Sequence, residues 1–161
     1  MIVRIQVDRD VASAVPAAVR RRLGQVATRA GRRLGLDSGT LRTLGLRIVG
    51  DAAMIELHRA YLGEAHATDV LSFPADPEDG LGVGDIAIDW DQVRRQAAMP
   101  GVWGWCDEAV QLVVHGLAHL VGHDHGRRSD AHRMLRAERR AARSAGIDPP
   151  RRPYAPGSSA R

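Results

Sequence analysis

Four of the seven histidines in this chain of 161 residues lie within one segment, HGLAHLVGHDH, which runs from His115 to His125. His115 and His119 are four residues apart, and because a helix turns by about 100° per residue, both imidazoles would lie on one face of it. Gly122 can end that helix and turn the chain back, so that His123 or His125 supplies a third nitrogen. Three neutral imidazoles suit zinc, and three protein ligands leave one coordination position open for water or substrate. The spacing therefore predicts a zinc site, with His125 favoured over His123 in part on reach.

Histidines bonded to ordinary protein partners are the alternative to a metal site. Two imidazoles on one face of an otherwise apolar helix would cost about 1–3 kcal/mol for each polar group left without a partner, and a metal removes that cost. Asp124, between two of the histidines, can orient a ligand imidazole or cap the following helix. His58, His66 and His132 have no partner at ligand spacing along the chain, and we interpret them as ordinary surface or loop residues.

The pattern H-x-x-x-H-x-x-G-x-x-H is also typical of the zinc-binding helix of metzincin peptidases. In those enzymes a glutamate directly after the first histidine is the general base. Here that position is Gly116, which can neither accept nor donate a side-chain proton. Proteolysis is therefore a weaker hypothesis for this site.

The elements that must position the histidines are predicted from the spacing of apolar residues. Apolar residues that alternate or form short runs predict strands over residues 3–7, 44–48, 69–74 and 84–89, the last two forming a hairpin. Apolar residues three and four apart, with capping signals, predict helices over residues 16–34, 52–62, 91–99, 107–122 and 127–144. Asp51 is expected to be the N-cap of the second of these helices. The helix that carries the first two histidines is apolar nearly all round, so we expect it to be the central, buried one.

Composition restricts the class of protein. Cys106 is the only cysteine, which excludes an intrachain disulfide and fits a reducing compartment. No apolar run approaches the roughly 18 residues of a membrane span, and charges near the N-terminus do not fit a signal peptide. We therefore expect a soluble, cytoplasmic protein. Residues 146–161 contain four prolines and little to bury, which predicts a disordered tail after a single domain.

All 23 basic residues are arginine, and against 19 acidic residues they give a formal net charge of +4. Guanidinium groups bind phosphate well, so a polyanionic partner is one explanation of this excess, and solubility alone is the other. Several of the arginines lie on the outer side of the helix predicted over residues 16–34. That side is either a solvated face or a surface that contacts RNA.

Three segments together resemble the YbeY family of metal-dependent bacterial endoribonucleases: TDVLSFP at residues 68–74, GDI at 84–86 and HGLAHLVGHDH at 115–125. With the order of strands and helices, the resemblance covers about residues 1–145. It implies an α+β fold of one domain, with a mixed sheet of four or five strands packed against about five helices and the metal in a cleft at the central helix. Residues 146–161 lie outside it.

The resemblance also implies a function. His115, His119 and His125 would bind one zinc ion per chain. The substrate would be single-stranded RNA, the reaction would belong to maturation of the 3′ end of small-subunit (16S) ribosomal RNA and to ribosome quality control, and the small ribosomal subunit would be a partner. Neither a membrane nor DNA is expected as a partner. Cleavage would be hydrolytic or by attack of the RNA 2′-hydroxyl, with zinc as Lewis acid.

Two positions depart from the usual pattern of this family. His123 stands where the family usually has tyrosine, so it is a candidate to relay protons or to compete as a metal ligand. Tyr61 is usually followed by a phosphate-binding arginine, and here Leu62 follows it. Arg59, on the same predicted helix, is a candidate substitute.

Other polar residues of the matching segments are candidates for the cleft. Asp85 is a candidate catalytic residue or a turn former, whereas Thr68, Asp69 and Ser72 either line the cleft or make ordinary hydrogen bonds in a loop or strand. Because the usual arginine is missing, a ribosome-assembly or RNA-binding factor with a structural zinc is the main alternative to a nuclease.

Overall fold

A computed structural model describes residues 3–76, 78, 80 and 82–148 of the chain. In this part of the chain the four strands are β1 (Arg4–Val7), β2 (Gly45–Val49), β3 (Val70–Pro74) and β4 (Gly84–Asp89). The six helices are α1 (Ala17–Arg33), α2 (Ser38–Thr43), α3 (Asp51–Leu62), α4 (Trp90–Gln96), α5 (Val102–Leu120) and α6 (Arg128–Ser144). The α+β class predicted from the sequence is confirmed, and α2 is the helix that the sequence analysis missed.

The four strands form one mixed sheet in the order β1-β2-β4-β3. β1 pairs with β2 and β2 with β4 in parallel, whereas β3 and β4 are antiparallel, as the predicted hairpin requires. Ser72 of β3 lies opposite Ile86 of β4 in that hairpin. The mixed character of the sheet follows, because the two parallel pairings need helical crossovers and the hairpin needs only a loop.

The alternation of side chains along the strands divides the core into two clusters. On one face of the sheet, Leu46, Ile48, Ile86 and Ile88 belong to a large cluster with buried residues of α1, α4, α5 and α6. On the other face, Ala87 and its neighbours pack against α3 in a small cluster. Helix α5 is therefore central, as predicted, with α1 and α6 beside it and the sheet beneath it.

Two helix starts differ from the prediction. α5 begins at Val102 rather than near residue 107, so Asp107 and Glu108, whose acidic side chains favour a helix start, lie beyond its first turn. Gly50, not Asp51, is the N-cap of α3. The Asp51 carboxylate instead accepts two hydrogen bonds from Arg95 of α4, at 2.9 and 2.5 Å, and thus ties two helices together.

The chain after α6 begins by packing onto the domain. Ile147 contacts the large core cluster, and the Asp148 carbonyl accepts a hydrogen bond from the Gln111 side chain at 2.6 Å. Arg22, on the cationic side of α1, donates to the Gly146 carbonyl at 2.9 Å. The rest of the predicted disordered tail, residues 149–161, lies outside the described residues. Of the helices described, none has the length and apolar character needed to cross a bilayer.

Candidate metal centre

The end of α5 has the geometry that the sequence predicts at Gly122. Gly122 has a φ of 91°, a conformation that side chains rarely adopt, and its N–H donates to the His119 carbonyl at 2.9 Å. The His123 N–H donates to the Ala118 carbonyl at 3.0 Å. These two bonds form a Schellman motif, which ends the helix and reverses the chain. The reversal is what brings His125 back to the histidines of α5.

The first two histidines meet at their Nε2 atoms. His115 is 3% exposed, and its Nδ1 lies 2.7 Å from Oε1 of Glu138 on α6, a residue that is 5% exposed. Because a carboxylate accepts, this contact places the His115 proton on Nδ1 and leaves its Nε2 lone pair facing inward. Nε2 of His119 is 3.1 Å from that atom. The sequence analysis missed Glu138, although a single acid on the buried face of an amphipathic helix was a signal for it.

His125 completes the group that we call the central cluster: His115, His119 and His125. Each residue offers a ligand atom, and these atoms lie within 4.8 Å of one another. Nε2 of His125 is buried and has no hydrogen-bond partner among the described residues. A buried ring nitrogen without a partner is unfavourable in an apoprotein and suits a metal ligand. Three imidazoles, one of them hydrogen-bonded to the Glu138 carboxylate, are a donor set that fits zinc.

The pKa values of the central cluster favour the neutral form. Burial, and then the neighbouring His115 and His125, lowers the pKa of His119 to about 4. Burial, followed by His115, also lowers the pKa of His125. Both imidazoles are therefore neutral at pH 7, which is the form with a lone pair for a metal.

A cavity of about 440 Å³ opens beside the central cluster. His119 and His123 line one wall, and Tyr61, Leu62 and Ser72 line the wall formed by α3 and β3. The structure thus places His123 next to the cleft and outside the group of three converging ligand atoms. Leu62, where the family usually has arginine, is 36% exposed on the cleft wall.

Gly116 lies where α5 approaches the sheet most closely. A Cβ atom on this residue would lie 3.0 Å from both Cδ1 and Cγ2 of Ile86. The Gly116 carbonyl also accepts a hydrogen bond from Ser72 Oγ at 3.2 Å. A side chain at the position that carries the general base in metzincin peptidases would therefore be crowded by Ile86, which would have to shift to admit it.

Two of the predicted catalytic residues lie away from the central cluster. Arg59 is exposed on α3 and forms an ion pair with Glu56 at 2.5 Å. Asp85 lies opposite Gly45, so close that a Cβ on the glycine would be 2.0 Å from its Oδ1. Because Asp85 alternates with Ile86, whose side chain contacts α5, its carboxylate points to the other face of the sheet. There it lines a separate cavity of about 640 Å³ with Arg4 and other residues.

The remaining polar candidates have ordinary backbone partners. Thr68 Oγ1 donates to the Val70 carbonyl at 3.3 Å, and the Asp69 carbonyl accepts from the Asp89 N–H at 2.9 Å. The Asp124 carboxylate accepts from the backbone N–H groups of His125 and Gly126, at 2.7 and 3.3 Å. Asp124 therefore fixes the turn that carries His125, rather than capping α6.

The interpretation of His58 as an ordinary surface or loop residue is wrong. His58 lies on α3, is fully buried, and contacts His66, whose ring is tilted by 46° to it with the centroids 4.1 Å apart. Together with Glu64 these residues form a second group whose ligand atoms lie within 4.8 Å of one another, which we call the loop cluster: His58, Glu64 and His66. Its only sequence signal was the pairing of a helical histidine with a second one eight residues on, across Gly63. His132 is exposed on α6, as expected.

Comparison with known proteins places the fold and this cleft in a family. A model of the family described as Endoribonuclease YbeY matches residues 5–146. An Endoribonuclease YbeY of Anaeromyxobacter sp. (strain Fw109-5) is 39% identical over 108 residues, which are 65% of this chain and 55% of the relative. One from Rhodospirillum rubrum is 41% identical over 105 residues, 60% of this chain and 52% of the relative. One from Thermus thermophilus is 41% identical over 97 residues, 58% of this chain and 69% of the relative.

The chain spans about half the length of the first two relatives that it matches. A solution structure of a Thermotoga maritima protein is similar with a TM-score of 0.43 at 18% identity, over 86% of this chain and 88% of that one, which is too distant to bear on function. The family match covers most of the chain and includes all three histidines of the central cluster and the cleft beside them. This chain is accordingly a member of the Endoribonuclease YbeY family.

Proposed function

We propose that this protein is a zinc-dependent endoribonuclease that cleaves single-stranded RNA. It acts in the cytoplasm, in maturation of the 3′ end of small-subunit (16S) ribosomal RNA and in ribosome quality control. The observation that carries the proposal is the convergence of His115, His119 and His125 beside an open cleft, in a chain of this family. The nuclease domain would comprise residues 1–145, and residues 146–148, which the sequence analysis placed in the tail, pack against it.

The central cluster would hold one zinc ion, which when bound supplies Lewis-acid chemistry for cleavage of a phosphodiester. Glu138 positions the site, since its carboxylate holds the His115 ring in one orientation and one tautomer. The turn fixed by Asp124 and the reversal at Gly122 position His125 in the same way. These contacts preorganise three imidazole rings in a largely buried setting.

The cleft beside the central cluster supports RNA with unpaired bases as the substrate. Tyr61 is 49% exposed on the cleft wall, and its ring lies edge-on to Phe73 with centroids 4.8 Å apart. An exposed aromatic ring held in place by a second ring is a surface on which an unpaired base can stack, whereas bases inside a duplex are not available. The small ribosomal subunit would present such single-stranded ends.

Three residues have proposed roles at the reacting phosphodiester or along the RNA. His123 lines the cleft and would hold or transfer a proton during cleavage. Arg59, once released from Glu56, would bind a backbone phosphate. Asp85 faces the other side of the sheet, so its role would be at a distance from the central cluster, in the cavity that it shares with Arg4.

A ribosome-assembly or RNA-binding factor with a structural zinc is the second candidate. The apolar Leu62 on the cleft wall favours it, because no guanidinium is contributed there to hold a phosphate. A zinc metallopeptidase is disfavoured because Gly116 stands at the position of the general base, where a Cβ would already crowd Ile86.

The test is to incubate the purified full chain, with and without chelator, with single-stranded RNA, duplex RNA of the same sequence and a peptide pool. We expect metal-dependent cleavage of the single strand only, lost in His119→Ala and retained in the control His132→Ala. Ribosome binding without cleavage, persisting in His119→Ala, would support the assembly factor, and cleavage of peptides would support the peptidase. An RNA that ends in a 16S precursor 3′ extension, with the cut mapped, tests the proposed substrate.

A further inference from the structure

The loop cluster lies at the end of α3 and in the loop that follows it. His58 is in the last turns of α3, and Glu64 and His66 are in the segment just beyond Gly63, where the helix ends with a φ of 75°. His58 is fully buried, whereas the side chains of Glu64 and His66 are 64% and 45% exposed. The group is thus anchored in the fold at one residue and open to solvent at the other two.

The two nitrogens of His58 are in contrasting surroundings. Nδ1 lies 2.7 Å from the Glu64 carbonyl oxygen, which can only accept, so the proton is on Nδ1. Nε2 is buried and has no hydrogen-bond partner within residues 3–76, 78, 80 and 82–148. A neutral His58 therefore presents a buried lone pair that nothing in the described chain uses.

The same arrangement occurs in the central cluster. There, Nδ1 of His115 bonds to a glutamate oxygen at 2.7 Å and Nε2 faces the other ligands. In both clusters an oxygen bonded to Nδ1 of the helical histidine fixes the tautomer and leaves the Nε2 lone pair free to bind a metal, which is the usual setting of a metal-bound histidine. The other two residues of the loop cluster, Glu64 and His66, have their Oε2 and Nε2 atoms 3.0 Å apart.

From this geometry we propose that His58, Glu64 and His66 form a second binding site, for a divalent transition-metal cation of the zinc class. Two imidazoles and one carboxylate are a donor set that zinc accepts with a position left open. Tetrahedral bonds of zinc would place the ligand atoms roughly 3.3 Å apart. The present ligand atoms lie within 4.8 Å, so a small inward movement of the loop suffices.

Occupation of this site has a local consequence. The cation would join the buried His58 to the loop at residues 63–67, which connects α3 to β3. Both of those elements contribute to the wall of the cleft, α3 through Tyr61 and Leu62. The ion would therefore hold that wall in one arrangement and add positive charge close to it. The site itself is independent of whether the protein cleaves RNA.

The experiment measures zinc stoichiometry. The full chain is stripped with chelator, dialysed and titrated with Zn²⁺ at pH 7.5, and bound metal is determined by mass spectrometry of the desalted protein. Four variants are compared with the unmodified chain: His66→Ala, His119→Ala, the double variant, and His132→Ala as the exposed-histidine control. His66 is the loop residue of choice because its side chain is nearly half exposed, so its removal disturbs the fold less than removal of the buried His58 would.

We expect two equivalents of zinc in the unmodified chain and in His132→Ala, one in each of His66→Ala and His119→Ala, and none in the double variant. If His66→Ala binds as much zinc as the unmodified chain, the second site does not exist. Nitrogen-15 spectra of the histidine rings give a second readout in His119→Ala, where zinc should shift the His58 Nε2 signal. An unchanged His58 signal at saturating zinc would equally overturn the proposal, whether or not RNA is cleaved.

Discussion

The central cluster and the loop cluster are built from the same chemistry in different surroundings. The central cluster has two ligands on a buried helix, a third held by a Schellman turn, and a buried carboxylate behind His115. The loop cluster has one ligand on a helix, two exposed ligands in a loop, and a backbone carbonyl behind His58. The comparison shows that the number of donor atoms alone does not determine the affinity for a metal. How many of them the fold already holds in place decides how tightly a metal binds, because the rest must be ordered on binding.

The largest expected difference is in RNA cleavage. His119→Ala removes one of three ligands from a nearly preformed site and should lower cleavage on the order of 10³-fold, since the remaining groups act as a unit. His66→Ala should lower it by a few-fold at most. Single-turnover rates on the same RNA, with His132→Ala as control, measure both. Equal losses in the two variants would show that the two clusters do not differ in the proposed way.

Acid should weaken the metal-free fold through the central cluster. The pKa of His119 is about 4 in the folded chain, mainly through burial, against an ordinary value of 6.5. Below pH 6.5 the unfolded chain takes up a proton that the folded chain resists, so stability present above pH 6.5 is lost as pH falls toward 4. The loss is on the order of 3 kcal/mol.

That pH profile has to be measured as a difference between variants. Burial raises the pKa of Asp89 to about 7, so Asp89 contributes with the opposite sign: its stabilisation is present at acid pH and is lost as pH rises through 7. The free energy of unfolding by urea, measured in chelator from pH 7.5 to 4.5, should fall less steeply in His119→Ala than in the unmodified chain. Parallel profiles would mean that His119 does not resist protonation.

The hydrogen bond between the Glu138 carboxylate and His115 provides the next test. Glu138→Gln keeps the shape of the side chain but replaces the carboxylate with a weaker acceptor, and it should lower zinc affinity at the central cluster by about 10–100-fold. Competition with a chromophoric chelator measures this affinity. The loop cluster should be unaffected, because its supporting oxygen is the Glu64 carbonyl, which no side-chain substitution removes. An unchanged affinity at the central cluster would show that Glu138 does not position His115.

The smallest effect is expected on the cleft wall at Leu62, which in sequence lies between His58 and Glu64 of the loop cluster. Leu62→Arg places a guanidinium beside the cleft and should lower the Kd for single-stranded RNA a few-fold. One added phosphate contact should also steepen the dependence of log affinity on log salt by about 0.7. Binding measured at several salt concentrations, with Leu62→Met as the uncharged control, tests this. A change in affinity that does not depend on salt would argue against a phosphate contact.

The spacing of residues within one helix was sufficient to predict that His115 and His119 of the central cluster lie side by side. The interval of four residues places His115 and His119 on one face whatever the tertiary structure, and Gly122 has few uses other than ending the helix. Glu138 was missed because its contact with His115 depends on how α6 packs beside α5, which no local pattern encodes. Its position on the buried face of α6 was the available clue.

Other errors have similar physical origins. The start of α5 was placed too late because acidic residues favour a helix N-terminus, whereas the real first turn begins with two exposed apolar residues, Val102 and Trp103, which are 41% and 82% exposed. The burial of His58 could not be read from α3 alone, since it depends on the loop folding back so that Glu64 and His66 cover it. Strands and the hairpin were found because a period of two is local, but their order in the sheet is a property of the whole fold.

The contact between Gly116 and Ile86 restricts what this helix can become in evolution. A glutamate at position 116 would bring its Cβ to 3.0 Å from Ile86, so Ile86 or α5 would have to shift before the new side chain could fit, and α5 carries two of the three imidazoles. Gain of a general base at this position is therefore coupled, through the packing of Ile86 against α5, to the placement of the metal ligands themselves.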